Sequence, residues 1–466
     1  MAVVIKTLQT PGGKYVYDRA THKKLRVNDD EYASFLRIEA GTVSESDEIV
    51  LKRYQDQGYC TDSEIEEIRH PASTLLQYRL DSRVAQLTMQ ITQDCNLRCS
   101  YCAYSGAYEN QRSHSKKTMS VKTMKKCVDF LMERSREISE VVIGIYGGEP
   151  LLEIDKMQEC IDYINEKYTN RGIRYTLTTN GTLFDEDAIR ILENNNFDVN
   201  ISFDGPEELH DANRVYADGR GSFNDIMNRI EYIRENHPKL FSKISFLSVI
   251  APGVDYACVN NFFVATDVIE SRTAAVNTVS QYSAKESVVY DDLYYTTYTY
   301  QSMKHLLAAV GLYDKSKTSK LFGTYIGGVK RFYEGMAKNS RLLKTAHPGG
   351  PCVPGVMRPF VAVDGSIYPC ERVSEGSDAM KIGHIDTGFD LQKADELLNV
   401  GKLTAEECKN CWAFRECVLC CAASDGGDEL SRELRLSRCV DSTNSMLENL
   451  KATCLLQEYG CDMSSL

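Results

Sequence analysis

The stretch QLTMQITQDCNLRCSYC, Gln86 to Cys102, decides how this chain is read. Its first six residues read as an apolar strand that stops just before Cys95. Cys95, Cys99 and Cys102 then follow at intervals of four and three. Thiolates are soft ligands suited to zinc or to iron–sulfur clusters. A site closed by protein alone takes four ligands, and three on a cubane leave one iron open. That iron is free to bind a substrate or cofactor, and Tyr101, between two of the ligands, is placed to keep water away. A zinc ion with a distant fourth ligand is the other reading of the same residues.

Working outward, strands and helices alternate. Helices are expected over 121–135, 155–168, 185–195, 223–236 and 257–270, and strands over 141–146, 174–179, 198–203, 243–250 and 274–280. Repeated strand–helix units imply parallel strands with right-handed crossovers. With 86–91 as the first strand, the count gives an α/β fold, a partial (β/α)6 TIM-like barrel. Ligands in such folds sit at the C-terminal ends of the strands. Those ends carry YGGEP (Gly147, Gly148, Glu149, Pro150), TTNG (with Thr179 and Asn180) and SFDGP (with Ser202 and Asp204), then His210, Asp211 and Arg214. Each motif alone is an ordinary turn. Their order, each at a strand terminus, is not.

The chain has 466 residues, 42% hydrophobic and 26% charged, with a net charge of −12. That suffices for two to four domains and argues against a protein that lives on nucleic acid or anionic membrane. The N-terminus lacks a signal-peptide pattern and no stretch reaches the length of a membrane span, so a cytoplasmic protein is expected. Seventeen cysteines in a reducing compartment point to metal or catalysis rather than disulfides. Eleven of them fall at 95–102 and 352–439, and the other six read as small buried side chains or solvated thiols.

Residues 1–78 form a unit of three short strands and two helices. Residues 281–350 are Tyr-rich and helical, a bridge that either lines a channel or simply packs. From 351 to 466 a cysteine-rich domain shows little regular periodicity.

The CX3CX2C loop and the later strand-end motifs together resemble the radical S-adenosylmethionine superfamily over residues 85–280. The resemblance implies a [4Fe–4S] cluster on Cys95, Cys99 and Cys102, its open iron chelated by the methionine moiety of S-adenosyl-L-methionine. It assigns Gly147, Gly148, Glu149 and Pro150 to that cofactor, with Glu149 accepting from its ammonium. Thr179, Asn180, Ser202 and Asp204 lie by the ribose, Arg214 meets the carboxylate through its bidentate fork, and Val249 lies by the adenine. The barrel is placed at 79–280.

Twelve residues separate Cys352 from Gly365 and four separate Gly365 from Cys370; Cys408-X2-Cys411-X5-Cys417-X3-Cys421 and Cys439 follow. This resembles the seven-cysteine SPASM domain, which implies two auxiliary clusters and so three [4Fe–4S] clusters in all. Cys408, Cys411, Cys417 and Cys439 would close the distal one; Cys352, Cys370 and Cys421 would serve the proximal one. Paired zinc ribbons account for Cys408 and Cys411 but not for the whole spacing. No cysteine lies between Cys258 and Cys352, so the proximal cluster is expected to keep an iron open for a substrate thiolate, with Cys420 as the competing ligand. Glu371 stands where related sulfatase-maturing enzymes place a general base; a solvated surface charge is the plainer reading.

The N-terminal unit resembles a winged-helix-like, PqqD-like recognition element that binds a leader peptide by strand addition. YCAYSGAYENQRSHSKKTMS resembles the maturases of cysteine-rich peptides. The implied activity is thioether formation (ranthipeptide type) on a ribosomal precursor peptide, through hydrogen abstraction by a 5′-deoxyadenosyl radical, with a low-potential donor such as flavodoxin or ferredoxin. Carbon–carbon crosslinking, epimerisation or formylglycine formation on a peptide, and a zinc-stabilised peptide- or DNA-binding scaffold, are the alternatives.

Overall fold

A computed structural model of the chain describes residues 3–62, 64–270, 274–338 and 341–464. At the N-terminus, β1 (Ile5–Thr10), β2 (Gly13–Asp18) and β3 (Lys23–Val27) form an antiparallel sheet in that order. Two helices follow, Asp29–Glu39 and Glu45–Asp56. The first starts at a capping box: the Asn28 side chain accepts from Glu31 N–H, and Glu31 accepts from Asn28 N–H, both at 2.9 Å. Ile5, Val16, Phe35, Ile38 and Cys60 close a small core beneath. A short strand β4 (Glu67–Ile68) leads away from this unit.

The barrel strands are β5 (Gln86–Thr92), β6 (Glu140–Gly147), β7 (Gly172–Thr179), β8 (Asp198–Ser202), β9 (Ile244–Ile250) and β10 (Ala274–Thr278). They lie side by side in sequence order, all parallel. Leu87, Met89, Ile143, Leu177, Val199, Ile201 and Phe246 fill the core with the apolar faces of the crossover helices. The six expected strands and the five helices expected between them are all present. The last helix breaks into Tyr256–Ala265 and Asp267–Glu270.

The C-terminal region is more regular than its sequence suggests. β11 (Thr345–Ala346) pairs with β4; β12 (Phe360–Val361) adds to β5 in parallel, Phe360 opposite Thr88; β13 (Ser366–Tyr368), β14 (Gly383–His384) and β15 (Gly388–Phe389) continue the barrel sheet antiparallel. A 20-residue helix, Cys439–Glu458, closes the chain. It hides its period because it is buried on two sides. Met446, Leu450 and Cys454 pack on Leu8, Tyr15 and Tyr17 of the N-terminal sheet. Ala452 and Leu456 pack with Leu306 and Val329 of the bridge helices Asp292–Ala309 and Tyr325–Lys338. Two- and three-residue strands carry no period to detect. Among the described residues no helix is long and apolar enough to cross a membrane.

The N-terminal unit also holds two fully buried carboxylates, Asp18 and Asp47. Asp47 accepts from Arg37 Nη2 at 2.6 Å and Nε at 3.0 Å, and from the Ser44 amide at 3.0 Å and hydroxyl at 2.7 Å. The Arg37 fork and then Ser44 hold its carboxyl well below the usual range. A depressed folded pKa means stability that is present above the unfolded value, 3.8, and is lost as pH falls further. Asp47→Asn is therefore expected to lower the melting temperature at neutral pH, with the gap to wild type closing below pH 3.8. A gap independent of pH in thermal melts would show that the charge contributes nothing.

Candidate active site at the barrel mouth

The loop after β5 carries Cys95, Cys99 and Cys102, and the end of β6 grips it from behind. Gly148 N–H donates to Thr92 O at 2.9 Å and Glu149 N–H to Asp94 O at 2.8 Å. Gly148 has no room for a side chain: a Cβ would stand 2.0 Å from Asp94 O and 3.1 Å from the Cys95 Cβ. Gly147, at φ +159, would put one 2.5 Å from Thr92 O. The glycines are thus required by close approach to the cysteine loop.

Glu149 is 0% exposed. Its carboxylate accepts from Asn180 N–H at 2.7 Å, Thr179 Oγ1 at 2.8 Å and Leu151 N–H at 3.0 Å, tying the end of β6 to the end of β7. Burial pushes it up to about 7, against those three donors. Oε1 takes two of these donors and Oε2 one. Pro150 is buried and opens a 3-10 turn, Pro150–Glu153. Asn180 donates to Asn96 Oδ1 at 2.8 Å and approaches Cys95 Sγ at 3.8 Å.

The β8 end supplies a second brace. Buried Asp204 accepts from Arg214 Nε at 3.0 Å, from Val249 N–H at 3.0 Å and from the Tyr101 hydroxyl. Arg214 Nη1 reaches Cys99 Sγ at 3.9 Å. Burial pulls the Arg214 pKa down, but the adjacent Asp204 carboxylate overrides it and the net shift is upward. His210 is neutral, pushed down to about 3 by burial and then by Arg214; it links Asp204 N–H to Ser222 Oγ. Ser202, the last residue of β8, is half-buried, and Val249 enters through its amide.

Burial holds the three thiols in their neutral form. Cys95 is pushed up to about 12 and Cys99 to about 11; Cys102 is raised, also by burial. Main-chain amides point at two of the sulfurs, Leu97 N–H to Cys95 and Tyr104 N–H to Cys102, both at 3.4 Å. Such donors suit anionic sulfur on a cluster.

The cysteine-rich region forms two further groups. Cys411 is pushed up to about 11 by burial, with Cys408, Cys417 and Cys439 each adding; its N–H donates to Cys408 O at 3.1 Å, Thr404 Oγ1 lies 3.3 Å from Cys408 Sγ, and Cys439 Sγ donates to Arg435 O at 3.8 Å. Cys421 is raised well above its ordinary value by its hydrogen bond to Cys420 and by burial, with Cys370 contributing. Cys352 is exposed. Between the groups lies Arg435, 1% exposed, donating to Thr404 Oγ1 at 3.3 Å and Cys420 O at 3.4 Å. Its Nη2 has no hydrogen-bond partner, and among the described residues no carboxylate pairs with it. A buried, uncompensated guanidinium is costly, and an anionic cluster on the flanking thiolates would supply the missing charge. Among the described residues no three His, Cys, Asp or Glu side chains gather for a single metal ion. A cubane asks for less, because each thiolate meets its own iron. The residues fit iron–sulfur ligation.

The segment after Cys370 is tied to the chain just beyond the barrel's cysteine loop: Gly376 N–H donates to Asn110 O at 2.8 Å and Glu375 N–H to Gln111 Oε1 at 3.0 Å. Burial raises the Tyr146 hydroxyl, and Glu371, Cys102 and Glu375 all act on it. Glu371 pairs with Arg358 at 3.2 Å, while its buried Oε2 has no hydrogen-bond partner. Glu375 accepts from Arg112 Nε at 3.0 Å and Gln90 Nε2 at 2.5 Å, and Arg112 stacks 3.4 Å over the Tyr104 ring. Gln90, Tyr104, Arg112, Glu375 and Arg435 escape sequence reading. Only Tyr104 and Arg112, just beyond the cysteine loop, carry any signal, through their position.

Gly148→Ala is expected to displace Asp94 and Cys95 and to lower the iron content of the holoprotein by about four, the irons of one cubane. Iron analysis of anaerobically purified protein checks it; full iron content would show that the loop tolerates the shift.

Residues 89–263 match the Radical SAM superfamily. A cysteine-type anaerobic sulfatase-maturating enzyme of Clostridium novyi (strain NT) is 35% identical over 153 residues, 32% of this chain but only 40% of that protein. The cysteine-type enzyme of Clostridium perfringens (strain ATCC 13124) is 26% identical over 344 residues, covering 69% of this chain and 84% of the relative. The solved structure of native anSMEcpe with bound AdoMet and Kp18Cys peptide superposes with a TM-score of 0.57 at 22% identity, over 79% of this chain and 99% of that one. The barrel of this protein is a radical SAM domain, with a cysteine-rich region built onto the edge of its first strand.

Proposed function

We propose that this protein is a radical S-adenosylmethionine peptide maturase that installs thioether crosslinks between cysteine sulfurs and carbon atoms of a ribosomally made precursor. The observation that carries this reading is the tie between the two cysteine regions: Glu375, just beyond Cys370, accepts from Gln90 on the first barrel strand at 2.5 Å and from Arg112 at 3.0 Å, and Arg112 stacks over Tyr104 beside Cys102. When bound, the Cys95, Cys99 and Cys102 cluster with S-adenosylmethionine supplies a carbon radical that takes hydrogen from an unactivated C–H bond.

The chain's own residues do the positioning. Gly148 and Glu149 fix the cysteine loop, Arg214 braced by Asp204 brings positive charge beside Cys99, and Tyr101 closes over the site. Cys370 and Cys421, with exposed Cys352, would hold the proximal cluster one ligand short, and an iron left open there would bind a substrate thiolate, keeping it deprotonated and aimed. Residues 1–78 take the leader peptide along an outer strand of their sheet; a flavodoxin- or ferredoxin-like donor supplies electrons.

A second reading, formylglycine formation, is favoured by the names of the relatives and by the unpartnered Oε2 of Glu371, which is free to accept a proton. Mass spectrometry of a cysteine-rich precursor separates the two. A thioether keeps the sulfur and loses two hydrogens, whereas formylglycine loses the sulfur. A modified product without sulfur would overturn the thioether reading.

Cys420→Ala tests the open corner. Iron content and crosslinking are expected to stay nearly unchanged. Loss of about four irons would make Cys420 the fourth ligand and leave no place for a substrate thiolate.

A further inference from the structure

The turn between β2 and β3 reaches across to the distal cysteine group. Arg19, on that turn, is 2% exposed. Its Nη1 donates to Lys409 O at 2.5 Å and to Cys411 O at 3.3 Å. The contact is reciprocal: Arg415 Nη1 donates to Ala20 O at 3.3 Å and Arg19 O at 3.4 Å. His22 lies 3.3 Å from Glu416, and Tyr17 meets Trp412 edge-on with ring centroids 6.4 Å apart. The turn itself is rigid, because Asp18 accepts from Ala20 N–H and from Cys60 N–H, both at 3.0 Å.

We propose that Arg19 is a positioning residue for the distal auxiliary cluster, so that the N-terminal unit forms one wall of that cluster's pocket. The inference rests on the reading that Cys408, Cys411, Cys417 and Cys439 hold a cluster. Two carbonyls of the Cys408–Cys411 loop point at one guanidinium, which fixes how the two thiols of the CX2C segment are presented. The same guanidinium places a positive charge beside the cluster. Net charge and hydrogen bonding around a cluster set its reduction potential, and a nearby cation favours the reduced, more negative form. Arg19 therefore acts on an electron carrier from a unit otherwise concerned with peptide binding.

The test uses the full-length holoprotein. Redox titration followed by electron paramagnetic resonance, with iron analysis, is run on wild type, Arg19→Ala, Arg19→Gln and Arg19→Lys. Fluorescence of Trp412, the chain's single tryptophan, reports the contact. Arg19→Ala is expected to shift one auxiliary cluster to lower potential, or to lose about four irons, with the other two clusters unchanged. Arg19→Lys should restore the iron and most of the potential. Full iron and an unshifted potential in Arg19→Ala would overturn the proposal. If Arg19→Ala loses the fold, Arg19→Gln decides: it keeps a donor without the charge, and an unchanged potential there is equally fatal. If Cys411→Ala removes no iron from wild type, the cluster reading has failed, and that outcome is distinct from an Arg19 variant with normal clusters.

Discussion

Two main-chain hydrogen bonds, Gly148 N–H to Thr92 O and Glu149 N–H to Asp94 O, tie the end of β6 to the loop that carries Cys95. They exist only because position 148 lacks a side chain, since a Cβ would overlap Asp94 O at 2.0 Å. The clamp is itself anchored. The Glu149 carboxylate takes two amides and a hydroxyl, and hydrogen bonds to a charged acceptor contribute about 1.5–3 kcal/mol each. The ends of three adjacent strands are therefore locked before any ligand arrives. Pre-organisation of this kind is what a radical site needs, because a loosely held cysteine loop would admit water and misplace the reacting groups.

Around that frame, guanidinium groups stand beside thiols in all three cysteine groups or along their loops. Arg214 reaches Cys99, Arg435 donates to Cys420 O, and Arg19 donates to Cys411 O. Arg214 has a buried carboxylate partner, Asp204 at 3.0 Å, whereas Arg435 has none among the described residues. Neutral thiols give buried cations nothing to balance, whereas cluster-bound thiolates do. The Arg435 pocket fits negative charge that cluster-bound thiolates would provide.

The barrel was legible because every one of its strands and helices carries its own period, and because its site residues fall at strand ends that the pattern locates. Gly147, Gly148, Asn180, Asp204 and Arg214 all arrive at one mouth. The role of Glu149 was less legible: a carboxylate in a turn gives no sign of which donors will surround it, and here they come from the next strand and its own turn. The C-terminal region hid its regular structure for two reasons. Strands as short as Phe360–Val361 hold too few residues for alternation, and the helix Cys439–Glu458 is apolar on two sides. Arg19, Arg112 and Arg435 look like surface charges in sequence; their burial depends on contacts hundreds of residues away in two of the three cases, Arg19 with Cys411 and Arg112 with Glu375.

A six-stranded partial barrel leaves two sheet edges, at β5 and at β10, and an open edge invites mispairing. The β5 edge is covered by β12, Phe360 opposite Thr88 and Val361 opposite Met89. That pairing does more than cover an edge. β12 turns through β13 into Cys370 and Glu371, so the register at Thr88 sets how far the second thiol group stands from the first. Phe360 packs edge-on against Tyr146, ring centroids 6.1 Å apart, and Tyr146 is the residue on which Cys102 and Glu371 both act. A slip of one residue would turn Phe360 out of the core and carry Glu371 away with it. The strand that blunts an edge thereby also fixes how the Cys370 segment sits against the barrel.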